Sequence, residues 1–189
     1  MKKYRLNLSI KQVLLAVTGC WLLAFVSGCG YTTHSAINTS IKTIYIEPFK
    51  NNINYTSEFG EARNVISYFP LLESKITQAV IDRFLFDGNV KVVKQDMADV
   101  VLKGALIDYT RDALRYDDNN NVEEYRANLA VSLKLWNNKE DKLIWEETRF
   151  VGQATYFTTG SQSKSEAAAI NDALADLARR VVERTVEQW

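Results

Sequence analysis

The most sustained pattern in the chain is an alternation. Tyr125, Ala127, Leu129, Val131, Leu133 and Leu135 interleave with Arg126, Asn128, Ala130, Ser132, Lys134 and Trp136. Twelve residues at period two predict a strand with one buried face and one largely polar face. Polar turns bracket it, Asp117-Asp118-Asn119-Asn120-Asn121 before and Asn137-Asn138-Lys139-Glu140-Asp141 after. Beyond the first turn, Val100 to Tyr109 is apolar at consecutive positions, as in a central strand covered on each side or on one side plus a partner. Beyond the second, Leu143 to Tyr156 is another long strand. Short turns between consecutive strands predict an antiparallel meander. Upstream, Ile41–Phe49 is β-branched and aromatic and reads as a first strand closed by Pro48, and Val90–Val93 as a short one.

Two segments change to a helical period. Pro70 at a first turn, then Leu71, Leu72, Ile76, Ala79, Val80, Arg83 and Phe84, predict an amphipathic helix that stops at Asp87-Gly88-Asn89, where Gly takes the left-handed cap. Near the C-terminus, Ala169, Ala173, Leu174, Leu177, Ala178, Val181, Val182 and Val186 form an apolar stripe. Ser163 or Ser165 caps that helix and Glu166 lies in its first turn. The order β-α-β-β-β-β-α predicts an α+β fold: a mixed, mostly antiparallel sheet of four to five strands with two helices packed on one face. The first strand, helix and next strand form a right-handed crossover unit in this reading. Residues 50–69 read as irregular and Asn-rich; Tyr55, Phe59, Tyr68 and Phe69 are expected to roof the core, the alternative being a loop that touches a partner.

The N-terminus carries a different signal. Lys2, Lys3, Arg5 and Lys11 precede an apolar run, Val13–Val17 through Trp21–Val26, of secretory-leader length and shorter than the ~20 residues of a spanning helix. It ends in Val26-Ser27-Gly28-Cys29, which looks like a lipobox: small residues fit the peptidase cleft, and the thiol accepts diacylglycerol before cleavage. Val17-Thr18-Gly19-Cys20 also matches, but leaves only five apolar residues after Lys11 against the ~7 of a leader core. Cys29 is the better acceptor. The bland alternative is that Cys20 and Cys29 form a disulfide or are buried in an uncleaved anchor. The organisation expected is a lipoprotein signal peptide over 1–28, a lipidated tether over 29–40 and a single α/β sandwich domain over 41–189. Acyl chains contribute about 0.8 kcal/mol per buried CH2, so several on Cys29 anchor the chain stably. Gly30 stands where Asp commonly retains bacterial lipoproteins in the inner membrane, so the outer membrane, periplasmic side, is the expected destination.

Removing the leader takes away four basic residues and no acid, leaving 19 basic against 23 acidic side chains, a charge of −4. A mildly acidic domain is a poor binder of phosphate backbones, and no nucleic-acid partner is expected. Candidate chemistry is sparse. His34 stands alone on the tether, so neither a His/Cys metal cluster nor a His-based triad can be assembled. Asp117, Asn119 and Asn121 alternate like the start of a calcium loop, but Val122 and Asn128 stand where Gly and a bidentate Glu are needed. Glu123-Glu124 and Glu146-Glu147 are adjacent in strands and point to opposite faces. No catalytic residue, metal or cofactor is assigned. Lys91, Lys94, Lys103, Arg111, Arg115, Arg126 and Lys134 lie on or beside strands; they could meet an anionic glycolipid, or simply solvate a sheet face.

With Gly28-Cys29-Gly30-Tyr31, the strand Ile41–Phe49 followed by Asn51, the segment Ala98-Asp99-Val100-Val101-Leu102-Lys103-Gly104, Glu124-Tyr125-Arg126 opening the alternating strand, and Glu166-Ala167 through Asp176-Leu177-Ala178-Arg179-Arg180, the sequence resembles the LPS-assembly lipoprotein (LptE) family. The resemblance implies a sheet with two helices and a lipoprotein seated in a large outer-membrane β-barrel, LptD. There it plugs the barrel, helps it assemble, and receives lipopolysaccharide. It implies no lipid-contacting residue here, and only Cys29 transfers by motif. The stretch from Asn51 to Phe69 is longer than the family usually has between first strand and first helix, which puts family-like barrel contacts there in doubt. A second reading is an outer-membrane lipoprotein regulating a cell-wall synthase. About ten residues separate Cys29 from the first strand, a reach on the order of 35 Å, so the domain works close to its membrane.

Overall fold

Ile44 and Ile46 turn inward and Thr43 and Tyr45 outward, and this alternation builds β1 (Thr43–Ile46) at the heart of a mixed sheet. The computed structural model describes residues 41–53 and 69–186. The remaining elements are β2 (Lys50–Asn51), α1 (Leu72–Asp87), β3 (Lys91–Val92), a 3-10 turn (Gln95–Met97), β4 (Val100–Tyr116), β5 (Val122–Asn137), β6 (Lys142–Phe157) and α2 (Glu166–Val186). Strand order is β3-β1-β4-β5-β6. β1 lies parallel to both β3 and β4, while β4, β5 and β6 form the antiparallel meander. The expected α+β architecture is what forms, with six strands where four to five were anticipated.

The additional strand has a local cause. Pro48 cannot donate to a ladder, so pairing with β4 stops after Ile46 and resumes at Lys50–Asn51, opposite Ala105–Leu106. Between the two pieces Phe49 folds over Gly104, where an added Cβ would lie 2.6 Å from ring carbon Cδ1. The Phe49 N–H donates to Thr77 Oγ1 of α1 at 2.9 Å, fixing strand to helix.

Helix α1 buries Leu72, Ile76, Val80 and Phe84, one residue every four, against the sheet. Each is a side chain whose full burial is worth roughly 1.5–3 kcal/mol. The helix begins at Leu72, not at Pro70, and Leu71 is 65% exposed, so it leaves the expected stripe. Leu71 takes a positive φ of 60°, which breaks helical geometry before it while its carbonyl accepts the Lys75 N–H. Gly88, at φ 73°, closes the other end by donating to the Phe84 carbonyl, as the sequence suggested. In α2, Ser165 is the cap, its Oγ accepting the Ala168 N–H; Ser163 instead bridges to Phe157. The apolar stripes of both helices and the inward residues of β4–β6 join in one core.

At the end of the sheet where Ile41 arrives, Asp99 ties three elements together. Its carboxylate accepts the N–H groups of Lys42 and Thr43 at 3.0 Å each, the Thr43 hydroxyl at 2.8 Å and Lys139 Nζ at 2.6 Å. The Lys139 hydrogen bond first, then the Lys42 amide, hold this carboxyl far below the usual carboxylate range. A depressed carboxylate pKa stabilises the fold above the unfolded value near 4, and that stability is lost as pH falls below it. Asp99→Ala is therefore expected to cost about 2 kcal/mol at neutral pH. Urea titrations across a pH series should show the gap between variant and parent narrowing from about pH 4 downward. A gap independent of pH would mean that the carboxylate charge is not what holds β1 in place.

Candidate interaction surface

The two faces of the meander differ in kind. Leu129, Leu133 and Leu135 of β5, Leu102 and Leu106 of β4, and Gly152 of β6 lie under the helices. The opposite face carries Val101, Lys103, Asp108, Thr110 and Asp112 of β4, then Arg126, Asn128, Ala130, Ser132, Lys134 and Trp136 of β5, with Glu146, Val151, Gln153 and Thr155 of β6. No helix among the described residues packs on it.

Charges on this bare face are largely matched. Lys134 meets Glu146 at 2.9 Å, and Arg115 meets Glu124 at 3.8 Å. Arg149 of β6 reaches Asp108 of β4 at 3.1 Å, passing Ala130, whose methyl leaves the path across β5 open. Asn128 Nδ2 donates to Thr110 Oγ1 at 3.1 Å and to Asp112 Oδ2 at 2.8 Å. The Lys103 ammonium stands 5.3 Å from the Trp136 ring centroid. Only Lys103 and Arg126 of this face make no ion pair among the described residues, so it is a balanced polar surface and not a basic patch.

Arg111 belongs elsewhere. A β-bulge at Ile107 resets the alternation of β4, and Arg111 turns to the helix side. There its Nη1 meets Glu166 Oε2 at 2.9 Å while the Tyr109 hydroxyl donates to Glu166 Oε1 at 2.6 Å. The guanidinium also sits 4.6 Å from the centroid of Tyr125, which stacks on Tyr156. Burial, then the Glu166 hydrogen bond, push the Tyr109 hydroxyl well above its ordinary pKa, and burial with Glu166 pushes Tyr156 in the same direction. Phe69 packs edge-on to Tyr109 at 5.5 Å, roofing the core as expected. Tyr55, Phe59 and Tyr68, like the leader, Cys20, Cys29 and His34, lie outside the described residues.

The Asp117–Asn121 turn satisfies itself. Asp117 Oδ1 accepts the N–H groups of Asn119 and Asn121, and Oδ2 accepts Asn121 Nδ2 at 3.0 Å, which holds the Asp117 carboxyl below its usual pKa. The carboxylate that would lead a calcium loop is spent on the hairpin. Among the described residues no three His, Cys, Asp or Glu side chains could hold a metal ion.

A stripe of α2 covers the free edge of the sheet, a role that no local sequence pattern marks. Along the outer edge of β6, Asp176 Oδ2 accepts the Gln153 N–H at 3.1 Å, Arg180 donates to the Val151 carbonyl, and Arg184 binds Glu147. Arg180 and Arg184 also lie over Phe150 and Trp145, 5.1 and 4.9 Å from their centroids. Asp176, Arg180 and Arg184 follow each other at four-residue spacing, one stripe of α2 that occupies an otherwise unpaired strand edge.

The sequence from 41 to 185 matches the family model of lipopolysaccharide-assembly proteins, LptE, which takes in nearly all of this two-helix, one-sheet architecture. The chain belongs to the LptE family. Among solved structures, protein XCC0632 from Xanthomonas campestris is similar at a TM-score of 0.53, with 14% identity over 77% of this chain and 84% of that one. Rare lipoprotein B from Shewanella oneidensis is similar at 0.43 and 15% identity, covering 75% and 92%. A minor lipoprotein from Acinetobacter baumannii is similar at 0.45 and 11% identity, covering 77% and 93%. Among curated protein sequences no relative matches. As an LptE-family member the protein is a lipopolysaccharide-assembly lipoprotein.

Proposed function

We propose that the protein is lipidated on Cys29, resides on the periplasmic side of the outer membrane, and binds and plugs an LptD-like β-barrel to assist lipopolysaccharide assembly there. The family match over residues 41–185 carries this reading. The shape of the domain supports it. A rigid three-stranded meander of 16- and 17-residue strands, helix-covered on one face and polar on the other, is suited to standing inside a water-filled lumen. Among the described residues no helix is long and apolar enough to cross a bilayer, so in this proposal attachment falls to the lipid on Cys29.

The test is a detergent pull-down of the tagged full-length protein from outer membranes, with mass spectrometry of what co-purifies and of the N-terminal peptide. A large β-barrel in near-equal amount, and an acylated Cys29, are expected. Cys29→Ser should abolish acylation and sharply reduce barrel recovery. Capture of a cell-wall synthase instead, or of no partner, would overturn the barrel reading; an unmodified Cys29 would overturn the anchor.

A further inference from the structure

β6 is the outermost strand of the sheet, with β5 on one side and no strand among the described residues on the other. From Phe150 to Phe157 its sequence, Phe-Val-Gly-Gln-Ala-Thr-Tyr-Phe, carries no charge and no proline and is rich in aromatic and β-branched residues. A segment of that composition on an open edge is a template for another strand, and the same segment of a second copy is a matched partner for it. The other edges differ. β4 runs beyond its parallel partners from Asp108 to Tyr116, but Asp108, Arg111, Asp112 and Arg115 place charge along it. β3, at the opposite side of the sheet, has two residues. β6 is the long edge strand that needs cover from elsewhere.

Helix α2 supplies that cover at the backbone groups that face outward. Asp176 accepts the Gln153 N–H, Arg180 donates to the Val151 carbonyl, and the Lys164 N–H donates to the Phe157 carbonyl as the chain turns back toward α2. Residues 151, 153 and 157 keep the period of two of a strand, so these are groups that an added strand would bond. Nearer the start of β6, Arg184 meets Glu147 at 2.9 Å and lies over Trp145, while Arg180 lies over Phe150. From these contacts we propose that Asp176, Arg180 and Arg184 are an edge guard, which keeps Phe150–Phe157 from pairing with the same segment of a second copy and so holds the chain monomeric. This role does not depend on which partner the domain binds.

Charge makes the guard hard to displace. A second strand would have to take the Val151 carbonyl and the Gln153 N–H from Arg180 and Asp176, and would press Arg184, whose side chain is only 19% exposed, further from water. The stripe is also braced from behind. Asp176 Oδ1 accepts Arg179 Nη2 at 2.7 Å, leaving Oδ2 for Gln153, and Glu183 holds Arg179 at 2.8 Å.

The experiment uses the full-length protein purified in detergent, with its protein mass followed by sedimentation across a concentration series. The parent should remain monomeric. Asp176→Ala, Arg180→Ala and Arg184→Ala combined should associate, at least doubling the mean protein mass at the highest concentration, with hydrogen exchange over 150–157 slowing as the mass rises. Arg180→Ala alone should show the same trend more weakly, and carries the test if the triple variant does not fold. Adding Thr155→Glu, opposite Arg126 on the bare face, puts a charge into the segment and should restore the monomer. Val80→Ala, which loosens buried packing in α1 and leaves the stripe in place, should lower Tm without association. A triple variant that stays monomeric, or a parent already paired through 150–157, would overturn the guard. So would association that Thr155→Glu leaves unchanged or that Val80→Ala reproduces, because the contact would then not arise from an uncovered β6.

Discussion

Gly152→Val is expected to be the most damaging single substitution in the sheet. At this position β6 runs beneath α2, and an added Cβ would lie 2.7 Å from the Ala173 carbonyl oxygen and the Leu177 Cα, and closer still to the Leu177 Cβ. None of these is the far end of a flexible side chain; relief requires α2 to lift. The helix cannot lift locally, because Ala169, Ala173, Leu177 and Val181 are buried on the same face and Asp176 and Arg180 are bonded to β6 on either side of the glycine. We expect a loss on the order of 3 kcal/mol or more, read as a shift in the urea midpoint, with a fall in Tm of roughly 10 °C. Gly104→Ala provides the contrast. It meets only side-chain ring atoms of the buried Phe49, Cε1 the nearest, so relief needs a turn of that ring within the core and not the lifting of a helix backbone, and a smaller loss is expected. Equal losses at the two glycines would mean that helix and strand are not in rigid contact at Gly152.

These same contacts explain which parts of the molecule could be read from the sequence. The alternation from Tyr125 to Trp136 survived intact, because β5 is flanked by strands on both sides and has a helix layer on one face only. Burial at period two leaves a period-two record. β4 was legible as far as Tyr109 but continues to Tyr116, since the bulge at Ile107 shifts the alternation and hides its second half. Along the chain Arg111 is therefore indistinguishable from the other basic strand residues, whereas in the fold it is the partner of Glu166. β2 depends on a pairing partner 55 residues away in sequence and has no local signature. The site was less legible than the fold. A face whose charges cancel across three strands looks basic when its cations are counted along the chain, because the carboxylates that answer them, Asp108, Glu124 and Glu146, belong to three different strands. The edge-capping stripe on α2 was visible as spacing, yet only the position of β6 gives it meaning.

Glu166→Ala should cost about 2–3 kcal/mol, the largest effect expected of any charged residue. The carboxylate serves two partners, Tyr109 and Arg111, whose charged side chain is only 23% exposed and whose Nε already lacks a partner. Its removal strands a half-buried guanidinium and a buried phenol at the junction of β4 with the first turn of α2. The same glutamate lies in that first turn, where a negative charge is favoured by the helix dipole, so a part of the loss is independent of Arg111. A double-mutant cycle separates the contributions. Arg111→Met combined with Glu166→Met should be less destabilising than the sum of the single changes, by about 1 kcal/mol or more, because each single change leaves a charge that the double change removes. Strict additivity would show that the ion pair is incidental and that Glu166 acts through the helix terminus and Tyr109 alone. Since Phe69, which closes the path into α1, packs on the ring of Tyr109, the coupled loss should also raise hydrogen exchange in the first turn of α1.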